Sequence, residues 1–176
     1  IDHNVSIHFE GAANTCVIEK PNILTGDFSI EFWLKNQTPG SGVLFEQTDA
    51  FQLALNSGIM VWTFGGQTLS KPVAQDQAFH HYTLTYNATN ELMKIYQDDM
   101  ELGSLQNAEG LALRSDNPLT IGGNTFVGNL HGLRFWSKPL TLSEAYAAQF
   151  NELTGSERDL VGYWPMNEGS GSHAID

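Results

Sequence analysis

Of the 176 residues, 20 are Asp or Glu, 6 are His and one is Cys, so the side chains able to do chemistry are mostly carboxylates. Retaining hydrolysis of a glycosidic bond needs two carboxyl groups about 5–5.5 Å apart across one cleft. On a strand that means acids at i and i+2 or i+4, and no strand-like stretch carries such a motif. Glu31 stands alone on its run, while Asp98, Asp99 and Glu101 gather at a predicted hairpin turn, where solvation accounts for them. His80 and His81 are neighbours on one predicted strand and point to opposite faces, so they cannot chelate the same metal ion. Cys16, set between Thr15 and Val17-Ile18, reads as a small buried hydrophobe. A lone thiol excludes an internal disulfide framework and a multi-cysteine zinc site. No Gly-x-Ser-x-Gly elbow marks a nucleophilic serine.

The elements that must position these groups are strands. In 28–35, Phe28, Ile30, Phe32 and Leu34 fall on one face, and Ser29, Glu31, Trp33 and Lys35 on the other. Strict alternation over eight residues predicts a half-buried strand with Trp33 and Glu31 on the face away from the core. Further strand-like runs cover 42–46, 51–55, 59–64, 80–86, 92–97, 119–121 and 130–136. Asn56-Ser57-Gly58, Gly65-Gly66, Asp98-Asp99 and Gly122-Gly123 supply turn chemistry between them. The run 59–64 places Met60, Trp62 and Phe64 on one face, a third set of candidate contact residues.

One segment has helical spacing. Leu142, Tyr146, Phe150 and Leu153 recur at four, four and three residues, with Thr141 or Ser143 as N-cap and Gly155 as stop. The expectation is one short helix near 143–153, packed on a sheet through those four side chains. The fold class is therefore all-β: an antiparallel jelly-roll sandwich of two curved sheets with that single helix. Residues 1–168 form the domain, and 169–176, beginning Gly169-Ser-Gly-Ser172, read as a linker or the start of a following module.

Charge narrows the partners. Eight Lys+Arg against 20 Asp+Glu give a net charge of -12, which repels phosphate backbones and anionic headgroups and argues against nucleic acid. No run approaches 18 consecutive apolar residues, so membrane insertion by a helix is not expected.

Five stretches together are similar to the laminin G-like jelly-roll branch of the concanavalin A-like lectin/glucanase superfamily. They are Val5-Ser-Ile-His-Phe-Glu-Gly11, the 24–35 strand ending Phe-Trp-Leu-Lys, and Phe79-His-His-Tyr-Thr-Leu-Thr-Tyr-Asn87. Lys94-Ile-Tyr-Gln-Asp-Asp-Met-Glu-Leu102 and the 119–140 stretch through His131-Gly-Leu-Arg-Phe-Trp136 complete them. Gly162-Tyr-Trp-Pro-Met-Asn-Glu168, continued by Gly169-Ser-Gly171, resembles a segment that joins copies in multi-copy extracellular proteins, which implies a larger multidomain chain.

The resemblance implies roles for particular residues. Leu133 and Phe135 match the family's core positions, which puts Arg134 and Trp136 outward with Trp33 and Glu31 as a ligand-binding groove. Two indoles flanking Glu31 and Arg134 suit a sugar's C–H face and hydroxyls. The family's calcium-binding acids fall at Glu10 and near Asn14, which makes calcium a candidate cofactor. His131 replaces a further carboxylate, and its imidazole is a poor ligand for a cation that takes oxygen. The family's glycosidase signature, Glu-x-Asp-x-x-Glu, is absent. The expected function is a non-catalytic extracellular or cell-surface module that binds a carbohydrate or a protein surface. The alternative is a structural spacer or adhesin-stalk module without a ligand, and behind it a glycoside hydrolase. Sequons at Asn4, Asn36 and Asn87 add no firm inference.

Overall fold

The structure is a computed structural model and describes residues 6–11, 15–19, 26–37, 39–106, 117–123 and 125–166. The described strands are β1 (Ile7–Glu10), β2 (Thr15–Ile18), β3 (Phe28–Asn36), β4 (Gly42–Gln47), β5 (Phe51–Asn56), β6 (Ile59–Phe64) and β7 (Gln67–Pro72). They continue with β8 (His80–Asn87), β9 (Leu92–Gln97), β10 (Met100–Leu105), β11 (Leu119–Gly122), β12 (Val127–Trp136) and, after the helix α1 (Leu142–Ala148), β13 (Leu160–Trp164). Two antiparallel sheets result. The first runs β1-β12-β3-β8-β9-β10, with β13 also against β12; the second runs β2-β11-β4-β5-β6-β7.

The alternation of 28–35 does what period two requires. Phe28, Ile30, Phe32 and Leu34 are buried between the sheets. Phe32 packs edge-on against Phe45 of the opposite sheet at 4.9 Å, and Phe28 against Phe64 at 5.2 Å. Met60, Trp62 and Phe64 are fully buried, so this set is core rather than contact surface. Cys16 is buried, as its apolar neighbours indicated.

One close approach and one shared strand edge fix the sandwich. Gly42 has φ +114°, and a Cβ there would lie 2.3 Å from the backbone nitrogen of Phe126, so only glycine fits. On the other flank, β12 serves two partners in succession: β1 pairs with its first half (Ile7 opposite Leu130) and β13 with its second (Trp164 opposite Leu133). Residues 169–176, expected as a linker, lie outside the described residues.

The helix is shorter than expected and buries only part of the expected face: Leu142 and Leu153 pack against Trp136, Tyr96 and Leu140, and Tyr146 and Phe150 do not. It ends at Ala148, and Thr141 caps it: the hydroxyl accepts from Glu144 N at 3.2 Å while the Glu144 carboxylate accepts from Thr141 N at 2.8 Å. The buried positions are Ala145 and Ala148, whereas Tyr146 and Phe150 are 47% and 63% exposed. Small side chains let the helix lie close on the first sheet, with Ala145 against Trp136, Tyr96 and Leu140. Bulky Tyr146 and Phe150 on that face would hold it off.

Candidate functional site

The expected groove residues sit on adjacent strands of the first sheet, as the alternation requires. Arg134 of β12 stands opposite Glu31 of β3, and Trp136 opposite Ser29. They are not open to ligand. Glu31, Arg134 and Trp136 are 0%, 4% and 8% exposed, because α1 and the turn after it lie over them. One guanidinium nitrogen of Arg134 donates to Glu31 Oε1 and to the Ala148 carbonyl, both at 2.8 Å. The other donates to the Asn151 carbonyl at 2.8 Å. Trp136 Nε1 donates to Glu31 Oε2 at 3.2 Å, and the Arg134 guanidinium lies over the Tyr163 ring at 5.5 Å. Glu31, Arg134 and Trp136, expected to face a sugar, therefore fasten the helix to the sheet.

Trp33 lies beyond the helix and stays half-buried. Its ring stacks on His131 at 5.9 Å, nearly parallel to it, and meets His81 edge-on at 5.2 Å. Phe79 closes on His131 at 5.2 Å. His131 thus belongs to an aromatic cluster. His81 is buried with Nε2 3.6 Å from Glu31 Oε1, a structural position. Glu10 is exposed on β1 with His8 Nε2 at 3.6 Å, and Asn14 lies outside the described residues. Among the described residues, no three of His, Cys, Asp and Glu converge to hold a metal ion.

The turn acids are more than solvated. His80 is clamped between Asp98 Oδ2 at 2.6 Å and Asp76 Oδ1 at 2.9 Å, and Asp98 Oδ1 accepts from His81 N. Burial pulls the imidazole's pKa down, but the hydrogen bonds and charges of Asp98 and Asp76 outweigh it and hold the value above the ordinary one. Asp76 is held low by the Ala78 N–H and His80.

An open cavity of about 450 Å³ lies on the other sheet, on a face that no outward aromatic residue marks. Its floor is the outer face of β4, β5 and β6, where Glu46, Gln52 and Thr63 stand in one row across the register. Its rim is two turns, 48–50 and 65–66, joined by a hydrogen bond from Gly65 N to the Ala50 carbonyl at 3.2 Å. Asp49, Gly65 and Gly66 all take left-handed φ, which lets the chain turn tightly at this rim. Gln52 Nε2 donates to Glu46 Oε2 at 2.7 Å, and the Thr63 and Thr68 hydroxyls pair at 3.2 Å. The alternation of 51–55 turns Gln52 away from Phe51, Leu53 and Leu55; for 59–64 the expected contact face, Met60, Trp62 and Phe64, is the buried one, so it is Thr63 that faces out. A second cavity, about 310 Å³, lies beside the helix start, where Lys94 and Glu101 neutralise each other at 2.8 Å.

Residues 10–145 match the family model of the concanavalin A-like lectin/glucanases superfamily. No curated protein matches the chain. Among solved structures, a candidate carbohydrate-binding protein from Bacteroides ovatus superposes with TM-score 0.71 at 15% identity, covering 93% of this chain and 52% of that one. The native heptameric SAP-like pentraxin of Limulus polyphemus gives TM-score 0.67 at 15% identity, covering 83% and 82%. The ligand-binding domain of botulinum neurotoxin serotype D, in complex with N-acetylneuraminic acid, gives 0.69 at 12% identity, covering 82% and 41%. The chain thus spans about two fifths of the toxin domain and about half of the Bacteroides protein.

Proposed function

Since this chain belongs to the concanavalin A-like lectin/glucanases superfamily, as a laminin G-like jelly-roll domain, we propose that it is a non-catalytic binding module for carbohydrate. The observation that carries this reading is the cavity over β4, β5 and β6. Its volume lies within the range of about 300–1,000 Å³ usual for small-ligand sites. Planar polar side chains on a rigid sheet suit the directional hydroxyls of a sugar, and the joined turns hold the rim in place. A Bacteroides protein assigned to carbohydrate binding and a sialic-acid-binding toxin domain share the fold, which supports the same reading. The module acts outside the cell or at its surface, as part of a larger multidomain chain. Among the described residues, no helix is long and apolar enough to cross a membrane.

The test is a broad glycan array probed with the wild-type domain and with Gln52→Leu and Thr63→Val, which alter only outward side chains. Binding by the wild type, weakened about tenfold by either variant, supports the site. A folded wild type that binds no glycan would leave the spacer reading standing. Hydrolysis of any glycan on the array would return the domain to the enzymes.

A further inference from the structure

The lining of the β4–β6 cavity is unbalanced in charge and in hydrogen-bonding character. Glu46 and Asp49 contribute two carboxylates, and no lysine, arginine or histidine is among the described residues that line it. The strongest side-chain donor on its floor, the Gln52 amide, spends one of its two N–H groups on Glu46 Oε2 at 2.7 Å. That bond leaves Glu46 Oε1 and the Gln52 carbonyl oxygen as acceptors, and Asp49 at the rim adds two more carboxylate oxygens. Thr63, which could donate, shares its hydroxyl with Thr68 at 3.2 Å. A ligand group that supplies donors and positive charge complements such a surface. A group that brings only acceptors and negative charge meets repulsion and unpaired oxygens.

We infer that the cavity selects sugars bearing a free amine and rejects acidic sugars. An ammonium group carries three donors and no acceptor, so it can meet Glu46 and Gln52 together. A uronate or sialate carboxylate would face Glu46 and Asp49 with no cation to neutralise it. Hydroxyls alone, as in a neutral sugar, pair with the same acceptors without the charge contribution. The order is amine, then neutral, then acid, which differs from what the sialic-acid-bound toxin domain of the same fold takes. The inference rests on the carbohydrate-binding reading, but can fail separately from it.

The experiment compares three tetrasaccharides by calorimetric titration at about pH 6, where an amine of ordinary pKa is protonated. They are a β-1,4-linked glucosamine, its fully N-acetylated counterpart, and an oligogalacturonate. The expected result is that the glucosamine oligomer binds most tightly and the galacturonate shows no binding. Glu46→Gln should weaken the glucosamine oligomer about 3- to 10-fold, a single partly exposed charge pair's worth, and leave the acetylated one within about twofold. Glu152→Gln, an exposed acid after the helix, controls for the general attraction of a chain with net charge -12. An equal loss in Glu152→Gln would show long-range attraction rather than a site, and would overturn the inference. So would preferred binding of the galacturonate, although binding itself would then stand. No binding of any oligomer, with the fold intact by circular dichroism, would overturn the inference, while the glycan array decides the carbohydrate-binding reading by itself.

Discussion

Arg134 reaches Glu31 at 2.8 Å and, through the same guanidinium, the carbonyls of Ala148 and Asn151. An ion pair on two sheet strands thereby also reaches the end of a helix, giving a charged donor to the carbonyl of its last residue, Ala148, and to that of Asn151 just beyond it. Such a pair is costly to break and cheap to replace. Arg134→Met alone should destabilise the domain by about 3–5 kcal/mol, because Glu31 is left buried and uncompensated. Arg134→Met with Glu31→Leu should recover most of that loss in urea denaturation. Equal loss in the single and double variants would show that the pair matters only through packing.

Stability should fall as pH rises through the neutral range, because of His80. Its folded pKa is raised above the unfolded value of 6.5, so its contribution is complete below about pH 6.5. That contribution is lost as pH climbs through the raised folded value. Asp76, held below 3.8, gives the opposite slope at the acid end: its contribution is present above that value and lost below it. Urea midpoints measured between about pH 5 and 9 should decline for the wild type and flatten for His80→Gln. Parallel profiles would remove the histidine from the explanation.

Tryptophan emission reports the cover over the first sheet. Trp62, Trp136 and Trp164 are 0%, 8% and 6% exposed, and Trp33 alone among the four is half-buried. Acrylamide should quench a minor fraction of the emission, and Trp33→Phe should abolish that fraction. Strong quenching that survives Trp33→Phe would mean that α1 does not stay over Trp136.

Gly42→Ala should cost about 2 kcal/mol or more, since it combines a left-handed φ with a backbone contact that cannot yield. Ala54→Gly, on an outer face in the same sheet, provides the comparison. Similar thermal shifts in the two would place the strain elsewhere.

The sandwich was legible because period two is a direct imprint of a sheet with one buried face, and β3 shows it most cleanly. The strand β7, Gln67–Pro72, was not: an edge strand with one buried residue, Leu69, leaves almost no periodic signal. The outward placement of Glu31, Trp33, Arg134 and Trp136 was also legible, but what lies above a sheet face is a tertiary fact. Of the four apolar residues at helical spacing, Leu142 and Leu153 pack on the sheet-side cluster, while Tyr146 and Phe150 point away from it. The choice fell to Ala145 and Ala148, whose small size sets the helix-to-sheet distance, and hydrophobicity ranks alanine too low to reveal that. For the same reason the uncovered floor over Gln52 and Thr63 could not be told from any other polar strand face.

The shared flank of β12 bears on how the module would carry a load. β13 ends opposite Leu133 and β1 starts opposite Leu130, so the two strands approach end to end, about 10 Å apart along their common partner. A tug applied through Ile7 and Trp164 would lift each strand from its own inner end and open its hydrogen bonds one after another. Strands gripped from opposite ends would instead have to shear together. In a chain that continued on both sides, the same proximity would make the sandwich a pendant, adding bulk to a tether but little reach. It also marks the gap between Trp164 and Ile7 as the place where a short artificial linker would yield a circular permutant with every strand pairing kept.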